Sequence, residues 1–336
     1  MDEPLWTDAH APEVGDLPQD DVREYLERAA DEPINLVVHG APGVGKTAAV
    51  RALARRAHED PENDLVEINV ADFFGMTKKE VSEDPRFASF ITPRRRRNSS
   101  KAALINHVLK ETASHPPVSG RYKTVLLDNA EDIREDFQQA LRRMMERHHE
   151  ATQFVIATRQ PTKLIPPIRS RCFPVAMRAP TTEETVAVLR DVVESEGVEY
   201  DDDGLEYVAG YASGNLRRAV LGAQTTYEEA DAVTMQGAYE ALGDLGARAQ
   251  VESMLDDAEA GEFTDARSTL DDLLVDEGFD GSEVLEEILA AGRSRYAGED
   301  LARLHRLAGE VDLDLAEGTS DRIHLSHLLA ELGAEA

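Results

Sequence analysis

A glycine-rich octapeptide carries the clearest chemical signal in the sequence. It lies between an apolar run typical of a strand and a stretch typical of a helix, and it fits the pattern G-x-x-x-x-G-K-[S/T] with Gly40, Ala41, Pro42, Gly43, Val44, Gly45, Lys46 and Thr47. In this setting backbone N–H groups curl around phosphate and the helix N-terminus adds positive potential, while Lys46 reaches the β- and γ-phosphates and Thr47 ligates Mg²⁺. The octapeptide therefore predicts a nucleoside triphosphate site. A chance glycine-rich turn is the alternative.

A second apolar run ends in a carboxylate. Val125-Leu126-Leu127-Asp128 would carry Asp128 to the carboxyl edge of a parallel sheet, beside the phosphate loop. By itself such a run is equally an ordinary strand end. Together with the phosphate loop it predicts that Asp128 joins Thr47 in holding Mg²⁺.

The elements around these residues alternate between strand-like and helix-like patterns. The strand-like runs are Ile34–His39, Lys123–Asp128 and Phe154–Thr158. Helix-like stretches follow the first two, over Thr47–His58 and Ile133–His148, and a loop follows the third. Such alternation predicts a parallel sheet covered by helices. From Thr181 onward the patterns are helical, with Thr181 or Thr182 as the first N-cap. We therefore expect an α/β nucleotide-binding domain over 1–178, a small helical domain over 179–236 and an all-α domain over 237–336.

The charge balance is strongly acidic. The 336 residues include 66 acidic and only 36 basic ones, of which seven are lysine, and the formal net charge is −30. A lysine-poor, uniformly acidic surface is typical of proteins from cytoplasms holding molar salt, where the Debye length falls to about 3 Å. An ordinary acidic protein or an acidic tail is the alternative, although the sequence has no single long acidic block.

Other classes of protein are disfavoured by composition. The single cysteine, Cys172, excludes an internal disulfide and a cysteine-built zinc site. No apolar run approaches the roughly 18 residues of a membrane helix, and the first residues lack the basic and apolar regions of a signal peptide. We therefore expect a cytoplasmic protein without a membrane partner.

The region after Asp128 resembles one particular family. This chain has Asp128-Asn129-Ala130-Glu131 and then Gln-Gln-Ala-Leu-Arg-Arg over residues 138–143. These two segments resemble motifs of the small subunits of archaeal replication factor C, which are AAA+ clamp loaders. In that family the first motif is Asp-Glu-Ala-Asp, and the second is the same six residues. The apolar residues of the second stretch recur at helical spacing, which predicts a packed helix with Arg142 and Arg143 off the buried stripe. Those apolar residues are Ile133, Phe137, Leu141, Met144 and Met145.

Two arginine motifs extend the resemblance. Ser170-Arg171-Cys172 is similar to the clamp-loader signature whose arginine enters the neighbouring subunit's ATP site, which implies that Arg171 acts in trans. Gly214 to Ala219 resembles the lid motif whose first arginine senses the γ-phosphate, which implies this role for Arg217. The alternative for the first motif is a chance tripeptide. The alternative for the second motif is a helical arginine on a solvated face. Leu5-Trp6 with Ala11-Pro12 matches the family's N-terminal motif only loosely.

The resemblance also implies an architecture and partners. It implies an AAA+ P-loop core followed by a helical lid and an all-α collar, with ATP and Mg²⁺ as cofactors. It further implies a hetero-oligomer of large and small clamp-loader subunits, a sliding clamp and primer–template DNA as partners. An origin-recognition or branch-migration AAA+ ATPase is an alternative; its winged-helix domain would need β-hairpin signals, which the last hundred residues lack.

The sequence departs from the family at two catalytic positions. Asn129 stands where active relatives have a glutamate, and Arg159 replaces the asparagine usual at the end of the sensor strand. An amide cannot accept the proton of an attacking water. We therefore predict that the chain binds ATP but hydrolyses it slowly or not at all, or is an essentially structural subunit. Glu131 or Asp132 could substitute if the loop shifts.

A dense basic cluster interrupts the acidic sequence. Arg94, Arg95, Arg96 and Arg97 are followed closely by Lys101, which is the pattern of phosphate contacts with DNA. An exposed loop or an inter-subunit salt-bridge patch would give the same pattern. Between Ala71 and Ser119 the short helix that touches the clamp in relatives is not recognisable, so the sequence leaves open whether this subunit contacts the clamp.

Overall fold

The computed structural model describes residues 4–84, 91–243, 247–276, 279–317 and 320–334. The chain forms two compact units, residues 1–235 and residues 236–336. The first unit holds a parallel sheet with its helices and then a smaller group of helices. The second is helical. The finer limits 1–178, 179–236 and 237–336 stay a prediction.

Five parallel strands form the central sheet in the order β2-β3-β4-β1-β5. Three of them, β1, β3 and β4, were expected from their apolar runs, and these expectations are confirmed. The two edge strands, β2 and β5, were missed because they are short and poorly buried, and because Glu67 interrupts the apolar run of β2 and Pro174 stands within β5. The strands are β1 (Leu36–His39), β2 (Leu65–Asn69), β3 (Lys123–Asp128), β4 (Thr152–Thr158) and β5 (Phe173–Ala176).

Helices cover both faces of this sheet because alternate strand residues point to opposite sides. Val125 and Leu127 pack in one buried cluster, whereas Leu126 packs in the other. The helices of this part are α1 (Trp6–Ala9), α2 (Asp20–Asp31), α3 (Lys46–Ala57), α4 (Pro61–Asp64), α5 (Val70–Gly75), α6 (Lys78–Glu83), α7 (Pro93–Asn98), α8 (Lys101–Ser114), α9 (Glu135–Arg147) and α10 (Pro166–Arg169). The predicted α/β core is confirmed.

A three-helix lid follows in the same unit. It consists of α11 (Thr182–Glu196), α12 (Asp202–Ala212) and α13 (Leu216–Ala230), with the short parallel pair β6 (Glu199–Tyr200) and β7 (Ala232–Val233). Thr181, one of the two residues predicted as the N-cap of α11, is that cap, and it forms a capping box with Glu184. Asp201 and Asn215 cap the next two helices through their side chains.

The second unit has its own apolar core. Helices α14 (Met235–Gly243), α15 (Ala247–Glu259), α16 (Phe263–Asp271), α17 (Gly281–Arg295), α18 (Gly298–Glu317) and α19 (Asp321–Gly333) make up this end of the chain, with a π-helical turn at Asp272–Asp276. Its described residues contain no strand, hence no winged-helix hairpin. None of the helices in the described ranges is long and apolar enough to cross a membrane.

Candidate nucleotide site

The phosphate loop lies at the carboxyl end of β1, between β4 and β5 in the sheet. Gly43 and Gly45 have φ values of +71° and +96°, in the left-handed region that side chains other than glycine rarely adopt. Gly45 is also the residue before α3, so the free N–H groups of this helix begin at the loop. These two glycines thus permit the backbone turn that leads from β1 into the N-terminus of α3.

Lys46 folds back over its own loop. Its Nζ donates to the carbonyl oxygens of Gly40 at 2.9 Å and Ala41 at 2.7 Å. Partial burial lowers the pKa of Lys46, while the carboxylates of Glu131 and Asp128 raise it. The amine is therefore bound to the loop carbonyls and lies within the electrostatic field of two acidic groups.

Thr47 and Asp128 meet beside the loop. The Thr47 hydroxyl donates to Oδ2 of Asp128 at 2.8 Å, and Oδ1 of Asp128 accepts the Asn129 N–H at 3.0 Å. A hydroxyl and a carboxylate are the hard oxygen donors that Mg²⁺ prefers. The donor set therefore fits Mg²⁺, and the structure brings together both residues that the sequence proposed as its ligands.

Asn129 is exposed and has an unusual backbone. Its φ and ψ are both 50°, in the left-handed region. Asparagine tolerates this conformation better than other residues with a side chain. The residue at the position of the family's glutamate is thus one that suits the local backbone.

Glu131 accepts hydrogen bonds from Arg159, a contact that no sequence pattern indicates. Oε1 of Glu131 accepts the backbone N–H of Arg159 at 2.7 Å and its side-chain Nε at 3.0 Å. The Glu131 side chain is only 7% exposed. The two residues are 28 positions apart, so no local pattern could have paired them. The side chain of Asp132, the other carboxylate considered as a substitute, lies outside the described residues.

The lid begins directly against the phosphate loop. The N–H groups of Leu216 and Arg217 donate to the Gly43 carbonyl at 2.9 and 3.4 Å. A Cβ on Gly43 would stand 1.9 Å from Oδ1 of Asn215. The side chain of Arg217 is exposed, whereas Arg218 lies over the Tyr211 ring at 4.3 Å. The structure thus places Arg217 on the first turn of the helix that contacts the loop.

The N-terminal segment is docked on the lid. Trp6 is buried, stacks against Tyr227 with a centroid distance of 5.7 Å, and donates its backbone N–H to Gln224. Arg55 of α3 donates to the Pro12 carbonyl. The loosely matching N-terminal motif therefore connects the lid to the helix that follows the phosphate loop.

Arg171 lies at the opposite edge of the sheet. It precedes β5, whose first residue, Phe173, pairs with Leu36 at the start of β1. Its Nη2 forms an ion pair with Glu146 at 2.6 Å, and its Nη1 donates to the Pro167 carbonyl at 2.8 Å. A four-residue strand spans roughly 13 Å at about 3.3 Å per residue, and this length separates Arg171 from its own phosphate loop.

The arginine run forms a short helix, so its interpretation as an exposed loop is wrong. Helix α7 begins after Thr92, whose side chain caps it, and all four arginines are exposed. Arg96 pairs with Glu83, and Lys101 donates to the Phe74 carbonyl. Arg94 to Arg97 thus lie on a solvent-exposed helix, whereas Lys101 is bound to a backbone carbonyl.

Together, the phosphate loop, the acidic strand end and the lid define a protein of the AAA+ P-loop class. Comparison with known families agrees along the chain. The profile of the ATPase family associated with various cellular activities matches residues 36–179, that of the RCF1/5-like AAA+ ATPase lid domain matches 187–227, and that of the replication factor C C-terminal domain matches 247–331.

Two replication factor C small subunits refine this class. The replication factor C small subunit of Aeropyrum pernix is 30% identical over 98% of this chain and 96% of its own length. That of Halobacterium salinarum is 28% identical over 99% and 97%. The chain therefore belongs to the replication factor C small subunit family, and it is a clamp-loader subunit.

Solved structures with this fold include more distant proteins. The Thermotoga maritima RuvB Holliday junction branch migration motor has a TM-score of 0.53 at 17% identity, covering 81% of this chain and 87% of its own. Cdc6p from Pyrobaculum aerophilum has a TM-score of 0.56 at 15% identity, covering 100% and 98%. At such identities the likeness shows the fold alone.

Proposed function

We propose that this chain binds MgATP and acts with other large and small subunits to load a sliding clamp onto primer–template DNA in the cytoplasm. Its own site turns ATP over slowly or not at all. The observation that carries this proposal is the contact between Thr47 and Asp128 beside an intact phosphate loop, followed directly by Asn129. The loop and the Mg²⁺ ligands support binding, while the amide at 129 removes the carboxylate that would orient or activate water.

The nearest buried carboxylate does not replace the missing one in this arrangement. Glu131 already accepts two hydrogen bonds at one oxygen and is paired with the Arg159 guanidinium. Using it as a base would require breaking an ion pair on a nearly buried group, which costs several kcal/mol. This supports a site that retains ATP rather than one that consumes it.

Arg171 serves a neighbouring subunit in this proposal. Its place at the amino edge of the sheet puts it a full strand length from its own phosphates, so a role at a phosphoryl group requires another chain's nucleotide. An arginine supplied in this way raises phosphoryl transfer by about 10³- to 10⁵-fold in other P-loop enzymes. Before assembly, Glu146 holds its guanidinium.

An essentially structural subunit is the second candidate, and Asn129 favours it. In that case nucleotide would hold the lid against the loop, where Leu216 already contacts Gly43, and the subunit would contribute only Arg171 to catalysis. The two candidates differ in whether any turnover originates in this chain's own site.

Measuring ATP binding and turnover separately tests the proposal. We expect the isolated chain, in KCl-rich buffer, to bind ATP with little turnover, and the complex with partner subunits, clamp and primed DNA to be active. Lys46→Ala should abolish binding to this chain. Arg171→Ala should lower turnover of the complex at least about tenfold without changing this chain's ATP affinity. Rapid turnover by the isolated chain, insensitive to clamp and DNA, would contradict the proposal.

The basic helix and the acidic surface complete the proposal. Arg94, Arg95 and Arg97 are exposed and suit contacts with DNA phosphates, although no aromatic residue interleaves with them for base stacking. We further infer adaptation to molar salt, as in salt-loving archaea, from the scarcity of lysine and the net charge of −30. Screening at such salt makes the self-repulsion of this surface tolerable.

A further inference from the structure

A surface cavity lies near the start of α8, the helix that follows the basic helix α7. Its volume is about 140 Å³, and residues of α5, α8 and the start of α9 line it. Cavities of about 150 Å³ in other proteins hold a single benzene ring, whereas a water molecule occupies only about 30 Å³ in the liquid. The space is therefore the size of one six-membered ring.

Two phenylalanine rings line this cavity. Phe74 of α5 is half-buried, and Phe137 of α9 is buried. Their ring centroids lie 5.1 Å apart with the planes at 85°, which is the edge-to-face arrangement of a favourable aromatic pair. Phe74 is distant in sequence from the arginine run, but the fold brings it to Lys101, whose Nζ donates to the Phe74 carbonyl. The cavity thus offers aromatic surface against which a flat ring can pack.

Asn106 of α8 adds an unused acceptor to the same lining. In the described part of the chain, its Oδ1 is buried and has no hydrogen-bond partner. A buried acceptor without a partner is unfavourable, and folded proteins pair nearly all such atoms. Pyrimidine bases carry a matching donor on their Watson–Crick edge, the amino group of cytosine or the imino N–H of thymine. A pyrimidine ring would therefore satisfy both the size and the polarity of the cavity.

The rim of the cavity carries two cations in a protein whose net charge is −30. Lys101 has three N–H groups and uses one of them for the Phe74 carbonyl. Arg134 pairs with Asp136 through Nε and Nη2, so its Nη1 lies outside this ion pair. The arginines of α7 precede Lys101 closely in the chain. Cations beside an aromatic cavity suit a nucleotide, because a nucleotide joins a flat ring to an anion.

We propose that this cavity binds an unstacked pyrimidine base from the single-stranded part of primer–template DNA. The base packs against Phe74 and Phe137, and Oδ1 of Asn106 accepts its amino or imino N–H. The adjoining phosphates lie along Lys101 and Arg134. This inference rests on the proposed function, because the DNA reaches this chain within the clamp-loader complex. The cavity favours single strands over duplex, since the bases of a duplex stay stacked and paired.

Filling the cavity tests this inference without changing any charge. Ala102 belongs to the lining, whereas Ala103, the next residue of α8, is exposed and is not part of it. Ala102→Leu therefore fills the space, and Ala103→Leu adds the same side chain outside it. The reconstituted complex is titrated with labelled primed DNA whose template overhang is oligothymidylate, either intact or with one abasic site at successive positions. An abasic site removes a base and keeps its phosphates.

We expect one abasic position to weaken binding by the wild-type complex at least about fivefold. The Ala102→Leu complex should bind intact DNA about as weakly as the wild type binds that abasic DNA, and the abasic site should weaken it less than about twofold further. Its slope of log affinity against log salt should match the wild type, because no phosphate contact is removed. Ala103→Leu should behave like the wild type throughout. If Ala102→Leu does not fold, Asn106→Leu, which replaces the unpaired amide by an apolar group, gives the same comparison.

Two results would overturn the inference and leave the proposed function standing. The first is an abasic scan that has no effect on the wild type, or an effect that persists when the cavity is filled. The second is a loss of subunit assembly or clamp binding in Ala102→Leu while the abasic effect is retained, which would identify a protein side chain as the occupant. A wild-type complex that does not bind primed DNA in the presence of ATP and clamp overturns the proposed function itself.

Discussion

At position 129, the backbone conformation and the chemistry of ATP hydrolysis favour different residue types. With φ and ψ both at 50°, the position favours asparagine or glycine, whereas catalysis by water activation favours a carboxylate. Because its N–H also binds Oδ1 of the neighbouring Asp128, the left-handed turn helps to orient the proposed Mg²⁺ ligand. At this residue, the contact with the proposed Mg²⁺ ligand Asp128 is present, whereas the carboxylate that would accept the water proton is absent.

Replacing Asn129 should separate these two requirements. We expect Asn129→Glu to raise ATP turnover at least about tenfold, because it restores an acceptor for the water proton. It should also lower the free energy of unfolding by about 1 kcal/mol, because glutamate tolerates the left-handed conformation poorly. Steady-state turnover and denaturant unfolding measure the two effects.

Two further variants at this position act as controls. Asn129→Ala should be destabilised like Asn129→Glu but gain no turnover, since it carries the strain without the carboxylate. Asn129→Gly should lose no stability through backbone strain. If Asn129→Ala gained as much turnover as Asn129→Glu, the missing carboxylate would not be the cause of slow hydrolysis.

Helix α8 depends on a neighbouring strand for its carboxyl-terminal cap. Its last turn carries no basic residue. Instead Lys123, the first residue of β3, is buried and donates through Nζ to the carbonyls of Thr112 and, at 2.6 Å, of His115. Burial lowers the pKa of Lys123 to about 8, and Asp64 opposes this shift. A neutral amine still has two N–H bonds, so it can keep both contacts.

This lowered pKa makes the contribution of Lys123 to stability depend on pH. The unfolded chain holds the Lys123 proton up to its ordinary pKa near 10.5, whereas the folded chain releases it near pH 8. Between these values the unfolded state binds more protons, so the free energy of unfolding rises with pH. We expect the wild type to gain roughly 1–2 kcal/mol relative to Lys123→Met from pH 8 to pH 10.5. Urea unfolding across this range measures the difference.

Lys110→Met provides the matched control, because Lys110 lies on the same helix but is exposed. The difference in the free energy of unfolding between Lys110→Met and the wild type should not change with pH over this range. A constant difference between the wild type and Lys123→Met would show that the Lys123 amine titrates normally in the folded chain.

The charge of the whole molecule opposes DNA binding, so any contact must be local. Against a net charge of −30, the exposed arginines of α7 form the dense basic group of the sequence. Salt at molar concentration screens the acidic surface, but it also weakens contacts with phosphates, because releasing counterions into concentrated salt gains less free energy. DNA affinity should therefore belong to the assembled complex, in which several subunits contribute.

Removing two arginines of α7 tests this idea. We expect Arg94→Ser with Arg95→Ser to weaken primed-DNA binding by the reconstituted complex and to reduce the slope of log affinity against log salt by up to roughly 1.8. Arg121→Ser with Arg147→Ser makes the same change in charge before β3 and β4, at the amino edge of the sheet. This control should leave the slope unchanged. Equal slopes for all three complexes would favour an inter-subunit role for α7.

The sequence by itself determined the features that depend on local spacing. The octapeptide at Gly40, the apolar run into Asp128 and the capping signal at Thr181 are each complete within a few residues, because helix, strand and loop geometry repeats over short distances. These patterns were sufficient for the α/β core, the helical lid and the helical C-terminal part.

Only the tertiary structure decided which distant side chains meet. The pairing of Glu131 with Arg159, of Glu146 with Arg171 and of Lys123 with the end of α8 joins residues from different elements. The edge strands β2 and β5 were likewise defined by hydrogen bonding to neighbours rather than by their own composition. The physical reason is that ion pairs and strand pairing depend on distances in space, which the order of the sheet sets and local spacing does not contain.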